Sequence, residues 1–203
     1  MAAEVIVHGL GVLIGAPVRQ IALIDVPRDM RWRFTPQHSL EGGVAHGSLN
    51  LESVIESDDW STYSSSDNNR ERQAHILALW DLCMGGDPQW LHDVTADYTI
   101  WSFDHGFWLG GEGDWDLASL SRRATDPWQY DLDAGVASAS GLRSAASGVL
   151  SLDRAAVHRI VESIPVEWQI PSDELSQVAD ILYLRVEGVA NRLEHAATRS
   201  NFA

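Results

Sequence analysis

Gly85-Gly86-Asp87-Pro88-Gln89-Trp90-Leu91-His92 and, a little further on, Ser102-Phe103-Asp104-His105-Gly106-Phe107 are the two segments from which the rest of the chain can be organised. Each sets an aspartate in a glycine-containing turn beside aromatic residues, with room between them for a loop and one strand. An Asp, a polar residue five positions on and an Asp-x-Gly about a dozen residues later form the layout of a phosphoryl-transfer site. The first Asp orients a hydroxyl in such a site, and the other groups hold magnesium. Asp87 has a second reading, because Gly-Gly-Asp-Pro is a good type I turn sequence by itself. The basic residues add a difficulty: all fourteen are Arg, and the chain has no Lys. A kinase normally sets a lysine on the ATP phosphates, so the two segments supply half of such a site.

Working outward, Ile76, Leu77, Leu79, Trp80 and Leu82 recur at helical spacing and predict a helix from about Arg70 to Met84, closed by Gly85-Gly86 as a C-cap. Tyr98 to Phe103 alternates and is aromatic-rich, which predicts a strand running into Asp104. Residues 3–14 predict a helix weakened by Gly9 and Gly11 and stopped at Gly15-Ala16-Pro17. Val18 to Val26 predicts a buried strand with Ile21, Leu23 and Ile24 as its core. Pro27 to about Asn69 predicts a long irregular segment, with 61–69 as a flexible loop. A short helix is expected over 117–123, while 134–148, rich in Ala, Ser and Gly, is ambiguous. Ser151-Leu152-Asp153 caps a helix through Val161. Pro171-Ser172-Asp173-Glu174 opens the longest helix, to about His195, with Leu175, Val178, Ile181, Leu182, Leu184, Val189 and Leu193 as its apolar stripe. The pattern predicts one domain over 1–203, α+β and mainly helical, with a few strands in its first half.

Composition narrows the function classes. A chain of 203 residues with 45% hydrophobic and 21% charged residues is an ordinary globular one. Its net charge of −15 disfavours nucleic acid and anionic membrane as partners. No apolar run approaches the ~20 residues of a membrane span, and the apolar start lacks a basic region before it, which argues against a signal peptide. Cys83 is the only cysteine, so no internal disulfide can form, and a cytoplasmic setting is expected.

Taken together, AEVIVHGLGVLIGAPV with the apolar strand after it, Ala45-His46-Gly47, ALWDLCMGGDPQWL, SFDHGFW and the tail IPVEWQIP resemble the HipA-like kinase family of actinobacteria and related bacteria. The resemblance implies a protein-kinase-like fold, related to the HipA toxin and lipid-kinase folds, of which this chain would hold mainly the C-terminal lobe. It implies transfer of the γ-phosphoryl group of ATP to a protein hydroxyl, with Mg²⁺. Carried over by position, Asp87 matches the catalytic aspartate and Asp104 the metal-binding one. Glu4 stands near the place of the glutamate that pairs with the ATP lysine. Three departures accompany it. The glycine-rich hairpin and its lysine would precede residue 1. The asparagine expected five positions after the catalytic aspartate is His92, with Asp93 beside it as a substitute metal ligand. The basic residue two positions after that aspartate, on the cofactor side, is Gln89. The alternative from another class is a pseudokinase-type scaffold that binds a protein partner without catalysis.

Other motifs carry less. His92, Asp93, Asp104 and His105 have the ligand types of a transition-metal site, yet the eight histidines (8, 38, 46, 75, 92, 105, 158 and 195) are scattered with no HExxH or HxH spacing. Gly9, Gly11 and Gly15 lack the strand-turn-helix context and terminal Lys of a phosphate loop and read as close packing plus a cap. Ser119 and Ser147 have no Gly-x-Ser-x-Gly flanks, and Cys83 reads as an inert core thiol. Of nine tryptophans, Trp80 and Trp101 are expected in the core, and Trp108 and Trp115 at a cleft or interface.

Overall fold

From Ile76 onward helix α2 (Asn69–Leu82) is buried on every side, and the helix packs against α1 (Ala2–Ile14), α4 (Ala139–Leu150), α6 (Ser172–Arg199) and strand β7 (Thr99–Ser102). Helix α5 (Arg154–Glu162) joins α6 and α1, and α3 (Leu117–Arg122) leans on α6. The protein is described by a computed structural model covering residues 1–33, 35–36, 39–40, 42–110 and 115–199; His38 lies outside them. The architecture is α+β, with six α-helices and small antiparallel sheets among the described residues.

The ambiguous Ala/Ser/Gly stretch is α4, and its small residues are what let it approach its neighbours. A Cβ at Gly141 would lie 2.9 Å from the Glu71 Cα, and one at Gly148 2.9 Å from the Ile14 carbonyl oxygen. Ser138 caps α4 by accepting from the Gly141 N–H. In α1, Gly11 faces Val18 and Gly9 faces Ile160, and Gly15 ends the helix at φ 74°, so these glycines serve packing and a left-handed cap. The end of α2 differs from expectation. Cys83 is the C-cap, Met84 takes the left-handed φ of 48°, and Gly85-Gly86 sit where side chains would collide, with a Gly85 Cβ running into the Trp80 ring.

Strand β1 (Ile21–Val26) pairs antiparallel with β4 (Gly43–Ser48), but it is not the buried strand predicted: Leu23 and Ile24 are each 48% exposed. The pair forms a two-stranded sheet, and only Ile21 of β1 packs on the core. The long segment after it holds short strands β2 (Trp32–Arg33) and β3 (Ser39–Leu40), then β5 (Val54–Ser57). Residues 61–69, expected as a flexible loop, form successive turns ending at buried Asn69. Its side-chain amide donates to the Tyr63 and Tyr98 carbonyls and its Oδ1 accepts from the Ile100 N–H. Strand β6 (Trp90–Asp93), which the sequence did not announce, is central in the sheet β5-β6-β7.

The aromatic assignments divide. Trp80 is buried as expected, and so is Trp108, against the expectation of a cleft or interface; the two rings meet edge to face at 5.1 Å. Trp101 is only part-buried, with the Arg19 guanidinium 4.7 Å from its ring centroid and that of Arg72 at 5.8 Å. Trp115 lines a cleft and donates to Glu174. Cys83 is fully buried, and burial pushes its thiol well above the ordinary range, as an inert core thiol requires.

Candidate functional site

The register of the β6–β7 hairpin decides which residues meet. Trp90 faces Ser102, and Asp93 faces Thr99. Asp87 therefore precedes the hairpin at the end where Asp104 follows it. Backbone bonds fasten that end: the Leu109 and Gly110 N–H groups donate to the carbonyls of Cys83 and Met84, at 2.9 and 3.0 Å. Gly86 lies so near Phe107 that a Cβ would come within 2.7 Å of its carbonyl oxygen. The two loops thus form one surface at the C-terminal end of α2.

Both aspartates adopt left-handed backbone, with φ 53° at Asp87 and 51° at Asp104. This costs about 1 kcal/mol or more at each and is tolerated best by Asp and Asn. Both side chains are exposed. The Gln89 side-chain amide donates to the Asp87 carboxylate, fixing its orientation. The Asp104 carboxylate accepts no hydrogen bond among the described residues and does not cap the turn that follows it. Left-handed non-glycine backbone occurs at nine described positions, but these two aspartates are the exposed ones on the adjoining loops, and backbone strain of this kind is found at functional sites.

His92 and Asp93 are not brought to Asp104. They lie toward the opposite, turn end of the hairpin. His92 is fully buried, its ring edge-on to Tyr63 and its Nδ1 3.4 Å from the Tyr98 carbonyl oxygen, while Nε2 has no partner. Burial holds its pKa below the ordinary value, so the ring is neutral at pH 7. The Asp93 carboxylate is engaged by the Thr95 N–H and hydroxyl. Among the described residues no three His, Cys, Asp or Glu side chains are placed to share a metal ion.

Glu4 reaches the second loop by a route the sequence did not suggest. Its Oε2 lies 3.2 Å from His105 Nδ1, and His105 Nε2 is 2.9 Å from Ser102 Oγ. Burial opposes ionisation of Glu4, but the hydrogen bond and charge of His105, with His46 nearby, outweigh it and hold its pKa below the usual carboxylate value. The order Ser-His-Glu has the connectivity of a hydrolytic triad. Ser102 is fully buried, however, and lines neither cleft described below, so the chain of bonds acts to lock α1 onto the loop that carries Asp104.

Two clefts flank the 105–107 turn. Gly106 lines one of about 360 Å³ with Ala2, Trp115, Trp168 and Glu174. Phe107 lines the other, about 690 Å³, with Gly86, Asp87, Arg123, Trp128 and Asp131. The larger one opens directly onto Asp87. A bonding network not visible in the sequence supports its floor: buried Asp81, in the last turn of α2, accepts from Arg185, Arg192 and the Trp128 N–H.

Searches of protein-family models, curated proteins and solved structures return no match to this chain.

Proposed function

We propose that this chain is the catalytic-loop region of a HipA-like protein kinase, acting in ATP- and Mg²⁺-dependent phosphoryl transfer to a protein hydroxyl. The observation that carries the reading is that Asp87 and Asp104, both exposed and in left-handed backbone, stand on two loops bonded together at one end of a hairpin. The sequence resemblance supplies the roles. Asp87, steadied by Gln89, accepts the proton of the acceptor hydroxyl as its oxygen bonds to the γ-phosphorus and ADP departs. The larger cleft gives the acceptor access to that carboxylate. Asp104 suits magnesium, which takes one or two carboxylates and completes its shell with phosphate oxygens and water. An ion held by Asp104 would supply neutralisation of the phosphate charge.

A second reading, a binding scaffold without catalysis, draws on one observation. His92, at the position where the resemblance expects a second metal ligand, is buried in the sheet away from Asp104. Calorimetry of ATP binding with and without Mg²⁺, on the chain and on Asp104→Asn, separates the two. Under the kinase reading binding requires Mg²⁺ and is lost in Asp104→Asn. Asp87→Asn then keeps binding and loses transfer by roughly 10²–10⁴-fold. Absence of binding at millimolar ATP would sink the kinase reading and leave the scaffold.

A further inference from the structure

The chain has no lysine for the ATP phosphates, yet the larger cleft contains a cation in a defined place. Arg123 is the only basic residue among the described residues lining it. Its guanidinium lies 5.4 Å from the Trp128 ring centroid. The ring is itself fixed, with Nε1 donating to the Gly85 carbonyl at 2.7 Å and its backbone N–H to Asp81 at 3.1 Å. The Arg123 backbone is anchored too, its carbonyl accepting from Arg185 at 3.0 Å. Among the described residues Arg123 forms no ion pair, although the protein carries fifteen excess negative charges. Four other arginines among the described residues are ion-paired, Arg72 to Asp67, Arg154 to Asp180, and Arg185 and Arg192 to Asp81; what sets Arg123 apart is its place over Trp128 at the wall of the cleft. An exposed guanidinium set over the Trp128 ring and without an ion pair, facing a cleft shared with Asp87 and Asp131, has the chemistry of a phosphate-binding group. Its planar donors match phosphate oxygens in pairs, and stacking on an aromatic ring limits the entropy lost on binding.

We infer that Arg123 is a phosphate-binding residue of the Asp87 cleft, taking the phosphoryl group of its ligand where a kinase would ordinarily present lysine. The inference rests on the phosphoryl-transfer reading for its setting, but the phosphate chemistry is testable apart from it. The phosphate could be the γ-group of a nucleotide or one already on an acceptor peptide, and the probes separate these. Binding of Mg·ATP, Mg·ADP, inorganic pyrophosphate and a phosphoserine peptide is measured by calorimetry on the unmodified chain, Arg123→Gln and Arg123→Lys. The expected result is about tenfold weaker ATP binding in Arg123→Gln with ADP little changed, and partial recovery in Arg123→Lys. An unchanged urea midpoint would show that the loss is not structural.

If the phosphoserine peptide instead carries the Arg123 dependence, the phosphate site stands and its source is the acceptor. Arg123-dependent pyrophosphate binding without any ATP binding would keep the site and remove the kinase reading. Equal affinities of all probes for the chain and Arg123→Gln would overturn the inference. So would no binding of any phosphate probe at millimolar concentration, whereas an equal loss of ATP and ADP at an unchanged urea midpoint would keep the site and move its contact from the γ- to the β-phosphate.

Discussion

At Gly86 the loop leaving α2 passes so close to the Phe107 carbonyl oxygen that a Cβ would sit 2.7 Å from it. The obstruction is backbone, which cannot rotate aside. At Gly106 the nearest atom to an added Cβ is Asp104 Oδ1 at 3.6 Å, an ordinary contact. Gly86→Ala should therefore cost about 1–3 kcal/mol and push the Asp87 loop off the 105–107 turn, whereas Gly106→Ala should stay within about 0.5 kcal/mol. Urea unfolding of the two variants checks the contrast. Equal midpoints would mean that the loops are not in fact pressed together. The Gly-Gly pair was legible as a turn, but the reason for the glycines was not, because it lies in a segment some twenty residues away in the chain.

The C-terminal end of α2 is the element on which both loops hang, and two α6 arginines bind it, Arg185 and Arg192. Arg185, 2% exposed, donates to the carbonyls of Asp81, Leu82, Arg123 and Ala124 and to the Asp81 carboxylate. It thus closes the ends of α2 and α3 together, satisfying carbonyls that a helix end leaves unpaired. Burial lowers the pKa of Arg185, with the Asp81 charge opposing; arginine remains protonated across the working pH range. Arg185→Met would take their side-chain donor from the Leu82 and Ala124 carbonyls and leave the Asp81 carboxylate to Arg192 and the Trp128 N–H, with an expected loss of about 3–5 kcal/mol. Arg192→Met, at a side chain 24% exposed and with one carboxylate to serve, should cost less. Thermal unfolding of both variants orders them, and the reverse order would show that Arg192 carries the network.

Elements of this scale were unevenly legible. Helices α1, α2, α5 and α6 and strand β7 announced themselves because their apolar residues repeat at the period of the element that buries them. Strand β1 was read correctly as a strand and wrongly as buried, since an apolar run records β-propensity and not what covers it. Strand β6 was hidden because Trp90-Leu91-His92-Asp93 is too short to show a period. Asp87 and Asp104 could be singled out by their turns. Glu4–His105 and Asp81–Arg185 join residues far apart in sequence, and no local pattern encodes them.

For the molecule as a whole, charge and burial pull acid stability in opposite directions. At pH 7 the chain carries −15 and repels itself, and protonating its eight histidines would roughly halve that charge. This favours the fold as pH falls. Burial acts the other way at His8, His46 and His92, holding each pKa below its ordinary 6.5. Below pH 6.5 the unfolded chain binds protons that the folded chain refuses, so their contribution is complete above 6.5 and is lost as pH drops through the folded values. Glu4, lowered from 4.5, adds a further loss below that pH by the same sign. Salt distinguishes the two effects. Screening shortens the reach of surface repulsion to a few ångströms near 1 M, whereas the desolvation of a buried ring is scarcely touched. In high salt, then, the urea midpoint at pH 7 should rise, and its fall between pH 7 and pH 5 should become steeper than in low salt. His92→Gln, which removes the most deeply buried of the three rings, should flatten that fall even if it lowers the midpoint throughout. A slope unchanged by both salt and His92→Gln would mean that neither self-repulsion nor the buried imidazole governs acid stability in this range.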